Sequence, residues 1–192
     1  MGFFANRWLE AELWCEGKSP WPRLPLLVYL AYASVRHIAS DAYRSWFSGI
    51  TLVFHEIGHL VFAGLGNTMM LLGGSIMQVL VPLAAGLYLW LRQGDFFGLA
   101  VGASWLAFSL FELALYVADA SRGQLALVGF GDDPQPDWDT LLTRWHLLNH
   151  CDSFARVIAG LATVTAMGAL GLGAALCWQM WRAQPRGGGS SG

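Results

Sequence analysis

Charge is what this chain has least of: 12% of its 192 residues are charged against 55% hydrophobic, and Lys18 is its single lysine. With a net charge of -2 and no basic run, nothing in it matches the electrostatic footprint of a nucleic-acid-binding protein. The three cysteines, Cys15, Cys151 and Cys177, are odd in number, far apart and without a C-x-x-C spacing, which argues against both a disulfide framework and a thiolate metal site. The first sixteen residues carry Glu10, Glu12 and Glu16 and no short apolar core before a small-residue cleavage site, so this end does not read as a signal peptide. Internal repeats are absent as well, which weakens any reading as a repeat-built transporter.

What is present is long apolar sequence. Segments at about 48–66, 68–91, 96–118 and 154–181 are each long enough, at 1.5 Å per residue, to cross a hydrocarbon layer about 30 Å thick. Pro20, Pro22 and Pro25 precede a shorter apolar stretch, Leu26 to His37, with Arg36 placed to snorkel to an interface. Residues 3–16 interleave Trp8, Leu9, Leu13 and Trp14 with glutamates, a pattern for an amphipathic helix lying among lipid headgroups. The expectation is an all-α, polytopic transmembrane bundle of about five membrane helices with an N-terminal interfacial helix. Its parts are residues 1–20 at the interface, 21–182 in the membrane, and 183–192 as a Gly/Ser-rich tail or linker. Tight connections near Gly66-Asn67 and Gln93-Gly94-Asp95 make the middle helices antiparallel neighbours. Small residues at Gly98-x-x-x-Gly102 and at Gly168, Gly171 and Gly173 suit close helix contact. Residues 119–153, with Asp132, Asp133, Asp137, Asp139 and Asp152 beside Trp138 and Trp145, form one long polar loop capping the bundle at a membrane face.

Inside the first of these four segments, 48–66, lies His55-Glu56-Ile57-Gly58-His59. Residues four apart on a helix share a face, so His55 and His59 can offer a ring nitrogen each to one metal ion, with Glu56 beside it as a base for metal-bound water. Shuffling this composition, with five His and five Glu, would produce the H-E-x-x-H pattern in only about 0.003 of cases. A glutamate between two histidines is costly in an apolar span, and a divalent cation offsets that cost.

A catalytic zinc takes three protein ligands, so one is missing. Glu112, Tyr116 and Asp119 are spaced to share one helix face, which must look into the bundle. Asp119 is the expected third ligand. Glu112, Asp137 and the i, i+4 pair His146 and His150 remain open as alternatives. Glu112 and Tyr116 suit an outer role, holding a histidine's second nitrogen. In the 68–91 segment Gly74, Gln78 and Pro82 recur every four residues; a glycine face admits an extended peptide, and the Gln78 amide can hydrogen-bond it or a developing oxyanion.

The set of motifs resembles the site-2 protease class of intramembrane zinc metalloproteases, in its small bacterial multi-pass form. The residues that carry the resemblance are His55 to His59, the L-G-G-S-x-x-Q-x-x-x-P run from Leu72 to Pro82, Tyr116 to Ala120, and Asp137-Trp138, within about residues 47–145. The resemblance implies a zinc enzyme of a bacterial cell membrane that cuts peptide bonds in or beside transmembrane helices of other proteins, with His55, His59 and a later aspartate as ligands and Glu56 as base. Zinc would polarise the scissile carbonyl while Glu56 activates water and then protonates the leaving amine. The chain departs from the better-known members in lacking an L-D-G motif, so Asp119 stands in by position, and it carries no PDZ-like insertion. A different class, a membrane zinc-binding or scaffold protein that stores or senses metal, would use the same histidines with a closed ligand set.

Overall fold

The computed structural model describes residues 3–40, 42–125 and 136–184; Asp132, Asp133 and the 186–192 stretch of the tail lie outside them. Among the described residues the fold is all α: α1 (Phe3–Cys15), α2 (Leu24–Ala39), α3 (Ser48–Phe62, extended by a 3-10 turn at Ala63–Leu65), α4 (Asn67–Gln93), α5 (Phe96–Asp119), α6 (Asp137–Arg144) and α7 (Cys151–Arg182). Four segments are long and apolar enough to cross a membrane, Ser48–Leu65, Asn67–Gln93, Phe96–Asp119 and Leu148–Arg182, and they mark a membrane protein. α2 is apolar but shorter, at 16 residues.

The apolar residues sort by helix. α5 is the central element, buried along most of its length through small and aromatic residues such as Ala100, Gly102, Ser104, Ala107 and Phe108. Its largest interface is with α7. α3 and α7 instead turn Val53, Leu60, Val61, Val157, Val164 and Met167 outward, an apolar exterior that suits lipid and not water.

Local chemistry fixes the α4–α5 turn. Gly94 adopts a left-handed φ of 65° past the last turn of α4, the Asp95 amide returns to the Leu89 carbonyl, and the Asp95 side chain caps α5 by accepting from the Gly98 amide at 2.9 Å. Two helices therefore lie antiparallel across a two-residue link. At the other end of the bundle, a Cβ on Gly58 would overlap the Gly73 carbonyl, so α3 and α4 touch backbone to backbone.

Two features differ from the sequence expectation. The 119–153 loop is not irregular throughout, since α6 forms within it and buries Leu141 and Leu142. α6 is pinned to α4 at both ends, by Trp138 Nε1 donating to Ser75 Oγ at 3.0 Å and Arg144 donating to Thr68 Oγ1 at 2.9 Å. The N-terminal helix also has a protein partner: Ala11 and Cys15 pack against Leu176, Cys177 and Met180 of α7.

Candidate metal centre

His55 and His59 sit one turn apart in α3 on the face turned toward α4. Each ring is held from behind through Nδ1. His55 Nδ1 lies 2.7 Å from Gln78 Oε1, and His59 Nδ1 lies 2.8 Å from the Met70 carbonyl oxygen. The Met70 carbonyl can only accept, so His59 Nδ1 carries the proton. The Gln78 amide is oriented by its other end, which donates to the Ser109 carbonyl at 3.0 Å, so its oxygen faces His55 and that Nδ1 also carries the proton. Both Nε2 atoms are thereby turned toward the same place.

What they meet there is Asp137, the first residue of α6. Its Oδ2 lies 3.2 Å from His55 Nε2 and 3.3 Å from His59 Nε2. Tyr116 of α5 fixes this residue twice: its hydroxyl accepts from the Asp137 amide at 2.9 Å and donates to Oδ2 at 3.3 Å. Burial acts to raise the Asp137 carboxyl, whereas the facing His55 and His59 rings, when they carry a proton on Nε2, outweigh it and draw the group below the usual carboxylate range; a cation between them would act in the same direction.

On the remaining side stands Gly74. A Cβ built there would come within 2.6 Å of His59 Nε2 and 2.7 Å of His55 Nε2. Only a residue without a side chain leaves the two nitrogens room. Glu56 completes the group, with His55, Glu56 and His59 ligand atoms all within 4.8 Å of one another. Among the described residues no hydrogen bond holds the Glu56 carboxylate, unlike every other polar side chain around it.

The fit to a cation is tested by the spacing. Two ligands about 2.05 Å from one tetrahedral ion are separated by about 3.3 Å, which both Nε2 to Oδ2 distances match. The donor chemistry agrees: two imidazole nitrogens stripped of their other hydrogen-bonding duty and one carboxylate oxygen.

Of the residues expected from sequence, Asp119 is not at this site. It accepts from the Gln124 amide at 3.0 Å and the Leu125 amide at 2.9 Å, closing the end of α5, and Asp137 occupies the place expected for it. Glu112 is not behind a histidine either: it accepts from Ser48 Oγ, and Gln78 stands at the His55 ring in its stead. Tyr116 does stand beside the centre, on Asp137. The expectation for Gln78 as a substrate hydrogen bonder is revised, since both ends of its amide are engaged within the protein. Gly74 lies against the two rings, whereas Pro82 is buried at the α4–α5 contact with its carbonyl toward Gly102. His146 follows the Trp145 C-cap of α6 in a left-handed conformation, φ 57°, and His150 is the N-cap of α7; among the described residues neither belongs to a cluster of three metal-ligating groups.

No family model, no curated protein and no solved structure matches this chain.

Proposed function

We propose that the chain is a multi-pass, zinc-dependent intramembrane endopeptidase that hydrolyses peptide bonds in or near transmembrane segments of other membrane proteins. The observation that carries the reading is the convergence of two imidazole Nε2 atoms and the Asp137 carboxylate beside a carboxylate, Glu56, that accepts no hydrogen bond among the described residues. With both Nδ1 positions protonated, the three donors face one another lone pair to lone pair unless something positive lies among them. Two imidazolium rings side by side would supply that charge, but like charges disfavour one another in a buried pocket. One divalent cation does so at the observed spacing.

When bound, zinc would act as a Lewis acid toward a carbonyl and lower the pKa of its water to about 7. The rest falls to the chain. Gln78, Met70 and Tyr116 fix the orientation of the three ligands, and Gly74 keeps the approach to them clear. Glu56 is placed to take a proton from water and to return it to the leaving amine. Substrate must present an extended backbone, because a helical one hides its carbonyls in hydrogen bonds.

The test is purified protein in detergent or nanodiscs, with zinc measured by atomic absorption and cleavage of a transmembrane-helix substrate followed by mass spectrometry. Glu56→Gln is expected to keep its zinc and lose about 100-fold or more of the cleavage rate. Zinc bound at full occupancy with no turnover of any helical substrate would favour the storage or scaffold reading, and cleavage undiminished in Glu56→Gln would remove Glu56 from its role.

A further inference from the structure

The α2–α3 connection is unusual for a membrane bundle. α2 starts level with α5, where Arg23 lies over the Phe97 ring at 5.9 Å, and rises beside it until His37 stacks on Phe108 and Phe111. At 16 residues α2 is about 24 Å long, while the 24 residues of α5 run about 36 Å, so α2 ends some two turns short. The chain then turns back. Tyr43 meets the His37 and Tyr32 rings, and Trp46 stacks on Tyr29 at 4.3 Å with its amide donating to the Tyr29 hydroxyl at 2.8 Å. Residues 42–47 thus descend along α2 as irregular backbone, and α3 begins partway along α5, where Ser48 bonds Glu112 and Thr51 bonds Ser109 at 3.3 Å.

Irregular backbone at that depth is tolerated only inside protein or against water. One side of this stretch packs on the protein, with Ser45 buried and Tyr43 and Phe47 against the Leu30–Phe108 cluster, but its other side is not inside: Ala42 and Arg44 are exposed, and Trp46 is 82% exposed. Two polar groups beside it are also short of partners. Glu112 has Ser48 as its one hydrogen-bond donor among the described residues, although a carboxylate accepts about four bonds. His37 is 9% exposed, and its Nε2 has no partner among the described residues. From Ser48 and Glu112 a polar line continues inward by one helical turn on each helix, to Thr51 and Ser109. It then runs through the Ser109 carbonyl to Gln78 and so to His55.

We propose that residues 42–47 form a re-entrant segment lining a water-filled inlet at membrane depth, which ends on Glu112 and supplies water toward the metal centre along the facing polar edges of α3 and α5. Water in the inlet satisfies the spare acceptor positions of Glu112 and solvates the Arg44 end of the connector. Hydrolysis consumes one water for each bond cut, and an apolar exterior offers none. That last link rests on the peptidase reading; the inlet does not.

The experiment uses the full chain in phosphatidylcholine nanodiscs, with Cys15, Cys151 and Cys177 replaced by alanine and single cysteines placed at Ala42, at Ser48 and, as a lipid-facing control on α2, at Val35. A charged methanethiosulfonate reacts only with a thiolate in water. Ala42→Cys and Ser48→Cys are expected to be modified at least about tenfold faster than Val35→Cys. Equal, slow modification at all three sites overturns the inlet. So does protection of Ala42→Cys accompanied by crosslinking to a second chain, which would mean protein and not water covers the connector. Should the cysteine-free protein fail to fold, backbone hydrogen exchange on the unaltered chain in nanodiscs decides the matter, with fast exchange across 42–47 expected and α5-like protection contradicting it. Neither readout needs catalysis, so failure of the inlet and failure of the peptidase reading are seen separately.

Discussion

Helix α4 meets α3 through Gly58 and Gly73 and meets α5 through Gly86 and Gly102, and at both places a side-chain carbon would strike the opposing backbone. The two contacts look alike in sequence, each a small residue admitting a close crossing. They differ in what lies next to them. The polar centre sits beside the first, with Gly74 against two imidazole nitrogens, whereas the second meets only backbone, including the Leu99 and Pro82 carbonyls. Close approach at one end of α4 builds a polar centre, and at the other it only holds α5 in place.

Substitution separates the two. Gly74→Ala is expected to have the largest effect on metal, because the new methyl group would lie in the space both Nε2 atoms face; bound zinc, read by atomic absorption on folded protein, should fall to background. Gly102→Ala should instead cost about 1–3 kcal/mol of stability by overpacking while the surviving folded protein keeps its zinc. Zinc retained in Gly74→Ala, or lost from folded Gly102→Ala, would erase the distinction. Gln78→Leu sharpens it more gently: it leaves the glycines alone and removes the acceptor behind His55, and zinc affinity measured by competition with a chelator should drop about 10- to 100-fold.

How much of this could be read from the amino acids varies by element. The long helices were legible because apolar runs of the right length are bounded by Gly66-Asn67 and Gly94-Asp95, and local turn chemistry decides such boundaries. α6 was not, since eight residues surrounded by polar sequence give a weak signal. Its cue, visible in retrospect, is Trp138, Leu141 and Leu142 on one face after Pro136. The same limit left the third carboxylate undecided, with Asp137 one alternative among several behind Asp119. His55, Glu56 and His59 declare themselves by spacing within one helix, but Asp137 reaches them from 82 positions along the chain, measured from His55, and no local pattern encodes that approach. Asp119 offered the more attractive helical face, yet the chain's turn at residues 123–125 uses its carboxylate to bind backbone amides. What Asp137 does possess is a partner, Tyr116, on that same face of α5.

The smallest expected effect lies at the far side of α6. His146 holds a left-handed φ of 57° where the chain leaves the helix, with the Leu147 amide returning to the Leu142 carbonyl at 2.8 Å, a position glycine fills without strain. His146→Gly should stabilise the protein by about 1 kcal/mol in thermal unfolding and leave zinc content unchanged. A loss of zinc in that variant would instead place His146 among the ligands.

X-ray absorption at the zinc edge, on purified wild-type protein beside Asp137→Ala and Asp119→Ala, tests the centre most directly. Two imidazole nitrogens and a carboxylate oxygen at about 2.0–2.2 Å are predicted for wild type and for Asp119→Ala, with the oxygen shell diminished or the metal lost in Asp137→Ala. A wild-type spectrum with fewer than two imidazoles, or one that changes on replacing Asp119 and not Asp137, would contradict the assignment.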